Sequence, residues 1–210
     1  MDGFMEILRE RRSVRRYLSE KVPIETLYRV LESARWAPSA HNAQPWRFIV
    51  VVDEELKRRL AEAMARDWIR DLTGNGLSPV EAKAKAEASI ETFTGSPVLI
   101  LACISMEDMD KYPDRRRMEA EYVMAVQSLA AAIQNMLLTI HSEGLGGCWY
   151  CAPLFCGDTV RRILGIPSSV EPQALITLGY PGEEPPPPKR RPVQAFSYLN
   201  RWGEEFRSPY

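Results

Sequence analysis

The 210-residue chain is poor in histidine, has no excess of either charge and has no long apolar run, and each scarcity removes a class of function. With only His41 and His141, a zinc site would have to come from cysteine. Of the four cysteines, Cys148, Cys151 and Cys156 crowd together, but no second pair stands at structural-zinc spacing, so no metal is expected. In a reducing compartment they are thiols rather than cross-links. Cys148-Trp-Tyr-Cys151 has the spacing of a redox dithiol, yet Pro153 and the nearby glycines read as strand and loop, not as the helix N-terminus that activates such a pair. Acidic residues number 28 against 27 basic, a formal net charge of -1, which argues against nucleic acid or a membrane surface as partner. No stretch has eighteen uninterrupted apolar residues, and Met-Asp-Gly-Phe-Met-Glu at the start lacks a leader's basic region; a cytoplasmic protein is expected. There is no Walker loop, and Gly144-Leu-Gly-Gly147 misses the third glycine of the dinucleotide fingerprint because Trp149 stands there.

What is present centres on Pro38-Ser-Ala-His-Asn-Ala-Gln-Pro-Trp46, where amide, hydroxyl and imidazole groups lie between two prolines. The prolines disfavour helix before them, so Ala37 and Gln44 are expected to be extended. Arg47 to Val52 follows as a β-branched and aromatic strand, so the loop hangs from a rigid element.

Elsewhere the patterning is an alternation of helices and short strands. Phe4 to Arg12 reads as a short amphipathic helix and Arg11 to Tyr17 as an extended segment, with Arg11, Ser13 and Arg15 on one side. Helices are expected over Pro23 to Arg35, Glu54 to Arg66 and Pro79 to Thr92, with Asp67 to Leu77 as a loose cover between the last two. Val98 to Ile104, continuously apolar, reads as a central strand, followed by an irregular crossover over Met106 to Arg117. Ala120 to Ser142 is apolar nearly all round, as if packed on the sheet on one side and on a second subunit on the other. Short strands at Gly146 to Tyr150 and Gln173 to Tyr180, with a helix over Asp158 to Leu164 between them, complete an α+β single domain with a mixed sheet. From Glu183 a polyproline stretch ends in Lys189-Arg-Arg191, and aromatic residues beyond it suggest that residues 183–210 form an extended arm packed on a partner subunit.

Two basic clusters, an amide loop and a helix suited to a dimer fit a flat, phosphorylated cofactor. Four segments in order, Arg11-Arg-Ser-Val-Arg15, Pro38-Ser-x-x-Asn-x-Gln-Pro-Trp46, the glycine turn at Gly144 to Gly147 and Pro188-Lys-Arg-Arg191, resemble the nitroreductase family of flavin mononucleotide (FMN) enzymes. The resemblance implies a sheet flanked by helices, an intertwined homodimer and a ping-pong transfer of two electrons from NAD(P)H or another reductant to a small aromatic acceptor. By position it implies that Arg11, Arg12, Ser13, Lys189 and Arg191 surround the phosphate and that Arg15 sits by N1 and O2 of the ring. Pro38, Ser39, Asn42 and Gln44 would meet the flavin, partly across the dimer. Cys151, Ala152, Pro153 and Leu154 would lie against it, with the Leu154 N–H as donor because Pro153 has none.

A finer likeness, carried by Trp68 to Leu77, Tyr112-Pro-Asp-Arg-Arg116 and Gly144 to Trp149, is to the flavin domain of the deazaflavin coenzyme glutamyl ligase. It implies an acidic deazaflavin precursor as acceptor, held by Trp68, Arg70, Tyr112, Arg115 and Arg116. A generalist nitro or quinone reductase, a non-catalytic flavin-binding protein and a dithiol redox protein are the alternatives.

Overall fold

The computed structural model describes residues 2–206. Its core is a four-stranded sheet of β1 (Trp46–Val51), β2 (Val98–Ser105), β3 (Gly146–Tyr150) and β4 (Val170–Gly179) in the order β1-β2-β4-β3, with every neighbouring pair antiparallel. The expected mixed character is confined to one parallel bridge, between Ser13 and Gly147, where the arginine segment lies outside β3. As its apolar run requires, β2 is central and buried throughout, and its alternate side chains serve two cores.

On one face Val98, Ile100, Ala102 and Ile104 pack with α5 (Arg115–Ser142) and α2 (Ile24–Arg35). On the other, Leu99, Leu101 and Cys103 pack with α3 (Glu54–Gly74), α4 (Pro79–Thr94) and α6 (Gly157–Leu164). Helix α5 is long and apolar enough to cross a membrane, but Leu129, Ile133, Met136 and Ile140 lie wholly inside the protein core. Helix α2 packs along a second side of it, and Tyr122 and Val123 remain exposed.

Caps set the boundaries that periodicity misplaced. Asp114 accepts a hydrogen bond from the Arg117 N–H (3.0 Å), so α5 starts at Arg115 and the three arginines form its first turn. Helix α3 runs to Gly74, because Asp67-Trp-Ile-Arg-Asp-Leu72 contains neither glycine nor proline to stop it. Ser78 and Glu81 then close a capping box on α4, making a helical hairpin of the expected loose cover.

The chain leaves much apolar surface uncovered. In α1 (Asp2–Glu10), Phe4, Met5 and Leu8 are exposed, and so are Ile24 and Tyr28 in α2 and Trp36 just after it. Beyond the polyproline stretch, Phe196, Leu199, Trp202 and Phe206 are exposed as well, with Trp202 stacked only on Tyr198 (4.6 Å between ring centroids). An exposure this extensive is characteristic of an interaction surface.

Candidate functional site

The arginine segment is positioned by glycine. A Cβ on Gly146 would stand 2.7 Å from Cβ of Val14, so bare backbone there lets residues 13–15 lie directly on β3, while one on Gly147 would stand 3.2 Å from the Thr177 carbonyl of β4. The Val14 N–H donates to the Gly147 carbonyl (3.2 Å) and Val14 is buried, which turns Ser13 and Arg15 the other way, as alternation requires. Tyr17 closes the segment, its hydroxyl 2.5 Å from the Val14 carbonyl and 2.6 Å from Oγ1 of the buried Thr177.

The distant polyproline stretch comes to the same place. Glu183 accepts a hydrogen bond from the Arg15 backbone N–H (2.7 Å), which ties the chain after β4 to the arginine segment. Arg190 lies close enough that, after burial, its charge is the main influence holding the Arg11 guanidinium below its ordinary pKa, with Arg12 adding to it. Guanidinium groups that feel one another's charge in this way are a candidate anion site, and a phosphate is the ligand whose geometry and charge suit guanidinium forks. Lys189, Arg190 and Arg191 are all exposed, and Arg190 is the one whose charge is felt at Arg11.

Next to this cluster Arg15 is exposed, with Nη1 donating to the Ser13 carbonyl (3.2 Å). Its charge acts on Tyr150, whose phenol is buried without a hydrogen-bond partner and is held well above its usual pKa by that burial and by the neighbouring Cys148. Tyr150 is also a wall of a cavity of about 460 Å³ between α3, α4 and the 3-10 turn Ala152–Phe155, lined by Met64, Trp68, Phe93, Phe155 and Cys156 among others. Cys151, Ala152, Pro153 and Leu154 thus stand between the cationic cluster's strand and an aromatic cavity. The Leu154 N–H does not point outward as expected: it donates to the Cys151 carbonyl (3.1 Å) within the turn.

The amide loop lies elsewhere. Gln44 N–H donates to Oγ of Ser39 (3.1 Å), and Ala40 N–H donates to Oγ of Ser128 on α5 (3.2 Å). His41, Asn42 and Gln44 all have positive φ (55°, 54° and 47°), so Gln44 is not extended; a left-handed backbone at three residues closes the loop tightly and leaves the Asn42 and Gln44 amides exposed. The loop enters β1 at one edge of the sheet, whereas the arginine segment borders β3 at the other. Three strand spacings, about 14 Å, separate the edges.

The expected acceptor residues are also divided. Trp68 lines the aromatic cavity and Arg70, nearby on α3, pairs with Asp67 (2.8 Å). Tyr112, Arg115 and Arg116 accompany α5 on the opposite face of the sheet, where Arg115 pairs with Glu119 (2.5 Å) and Tyr112 lies under the Arg117 guanidinium (4.6 Å). The five residues do not form one site within a chain. All four cysteines are free, and burial pushes the thiols of Cys103 and Cys156 up to about 12 and about 11.

Fold and site together define an α+β protein with a cationic segment at the glycine edge of its sheet. The chain belongs to the nitroreductase family: the model of the Nitroreductase family matches residues 8–180. It is therefore an oxidoreductase by family. An NADH dehydrogenase of Thermus thermophilus is 32% identical over 211 residues, covering 88% of this chain and 90% of that protein. An iodotyrosine deiodinase solved with FMN and 3-iodo-L-tyrosine is 25% identical with a TM-score of 0.73, covering 95% of this chain and 98% of that one. The NADPH:FMN oxidoreductase of Vibrio harveyi, at 18% identity and a TM-score of 0.72 over 96% of this chain and 79% of its own, shares the fold.

Proposed function

We propose that the chain is an FMN-dependent NAD(P)H oxidoreductase that works as a homodimer and reduces a small apolar aromatic acceptor. The observation that carries this reading is the division of the site. The cation cluster of Arg11, Arg12 and Arg190 borders one edge of the sheet and the Ser39–Gln44 amides the other, so a second copy must supply one of them to a cofactor held by the other. The exposed apolar residues of α1, α2 and the C-terminal arm are the surface that such a copy would cover. The fold's solved relative carrying FMN and the family match support the choice of cofactor.

When bound, FMN supplies the two-electron chemistry, taking a hydride from a nicotinamide donor and passing it to the acceptor. The protein's part is position and field. Arg11, Arg12 and Arg190, with Ser13, Lys189 and Arg191 around them, anchor the phosphate. Arg15 places a fixed cation at the ring edge, which favours the reduced, anionic form. Pro38, Ser39, Asn42 and Gln44 of the second copy hydrogen-bond the polar rim, and the turn from Cys151 to Leu154 packs against the ring. The cavity beyond Tyr150 admits the acceptor, and its aromatic lining suits a flat apolar ring.

Light scattering should give a dimer carrying FMN, and NADH should drive steady quinone reduction; a flavin-loaded monomer, or bound flavin without turnover, would refute the proposal. An acidic deazaflavin-type acceptor is the second reading, and Arg116, exposed at the start of α5, is its support. If such an acceptor binds more tightly than a neutral quinone, and Arg115→Ala with Arg116→Ala weakens only the acidic one, the apolar assignment is wrong.

A further inference from the structure

We propose that His41, Asp110 and Glu121 form a binding site for a divalent transition-metal ion, with Zn2+ or Mn2+ as the chemical class. The three come from separate elements: His41 from the amide loop, Asp110 from the connection between β2 and α5, and Glu121 from the second turn of α5. One ligand atom from each lies within 4.8 Å of the others. His41 Nε2 stands 3.4 Å from Glu121 Oε1 and 3.8 Å from Asp110 Oδ2. Two ligand atoms bound at about 2.1 Å to a tetrahedral ion lie about 3.4 Å apart, so the atoms, within 4.8 Å of one another, must draw together, and the exposed Asp110 is the ligand that can do so.

Glu121 is the observation that points to an ion. Its side chain is 3% exposed, and while Oε1 faces His41, Oε2 is buried with no hydrogen-bond partner. A histidine–glutamate latch would leave that oxygen unpaired, an arrangement that folded proteins avoid for a carboxylate. An ion held by both oxygens of Glu121 would supply the missing partner, and one imidazole with two carboxylates is a donor set that divalent metals such as Zn2+ accept, leaving room for water as a further ligand. Bound there, the ion would tie the Pro38–Trp46 loop to α5 two turns before the Ser128 hydrogen bond, on the same face of the helix.

The test is calorimetric titration of the metal-stripped full-length protein with Zn2+, together with metal analysis after dialysis. Saturable binding of one Zn2+ per chain is expected, weakened at least tenfold in Asp110→Asn and lost in Glu121→Gln. Asp108→Asn, which removes a neighbouring acid paired with Arg47 (3.3 Å), should leave it unchanged. Absence of saturable binding would overturn the proposal, as would binding that survives both variants, since the ion would then sit on thiols or other surface acids. Should Glu121→Gln fail to fold, Asp110→Asn decides alone, because an exposed side chain can be changed without disturbing the core.

Discussion

Gly146→Ala tests whether the close approach of the arginine segment to β3 builds the cofactor site. The added methyl would meet all three side-chain atoms of Val14, at 2.7, 2.8 and 2.9 Å. Val14 cannot turn aside, because it is buried and its β-branched side chain has little rotamer freedom. Overpacking of this kind costs about 1–3 kcal/mol. If the segment moves outward, it breaks the Val14–Gly147 hydrogen bond and carries Arg11, Ser13 and Arg15 with it, so the cost falls on the cofactor, as roughly 5- to 150-fold weaker FMN binding. If the segment holds its place, the cost falls on the fold, as a melting temperature lower by roughly 2–12 °C. Fluorescence titration of FMN and thermal melting of the same sample separate the two outcomes. Adding Val14→Ala removes two of the three close contacts and should recover part of the loss, a coupling that marks direct contact. Gly74→Ala, with open space around the new methyl, is the control. Unchanged FMN affinity and melting temperature in Gly146→Ala would refute the argument.

Arg15→Ala should keep FMN bound but lower its midpoint potential, by about 30 mV for each ~1.4 kcal/mol of lost preference for the reduced form, as read by spectroelectrochemical titration. Arg190→Ala should weaken FMN binding by roughly 10- to 150-fold, the equivalent of one charge-assisted hydrogen bond, and by more than Lys189→Ala or Arg191→Ala alone; binding assays at low salt would show the order. At pH 8 a thiol reagent followed by mass spectrometry should label Cys151 first, since it alone of the four is exposed. Cys148→Ser and Cys151→Ser should retain turnover. Stability should fall at high pH: the folded chain holds the Cys103 and Cys156 protons up to about 12 and 11, whereas unfolded thiols ionise from 9.0, so their contribution is intact below pH 9 and is lost as pH rises through 11 to 12. Chemical denaturation at pH 8 and pH 11 measures the difference.

The order of elements and the central place of β2 followed from the sequence alone. Hydrophobic period, proline and glycine placement and short-range charge are local properties, and Val98 to Ser105 or Arg11 to Arg15 carry them in full. The family was also legible, because four motifs in fixed order constrain the chain more than any one of them. Other features were decided only by packing. That the charge of Arg190 is felt at Arg11 was not legible, because a polyproline stretch turns with a three-residue period and gives no alternation from which to choose. The aromatic cavity draws Met64, Trp68, Phe93, Tyr150 and Phe155 from four separate elements, and no local pattern links them. His41, Asp110 and Glu121 lie 80 residues apart at the extremes and meet only because the loop before β1 folds back on α5. The sheet order placed the amide loop and the arginines at opposite edges, and split the expected acceptor residues between two faces. Strand order is set by which apolar faces bury together across the whole molecule, so no segment of the sequence contains it.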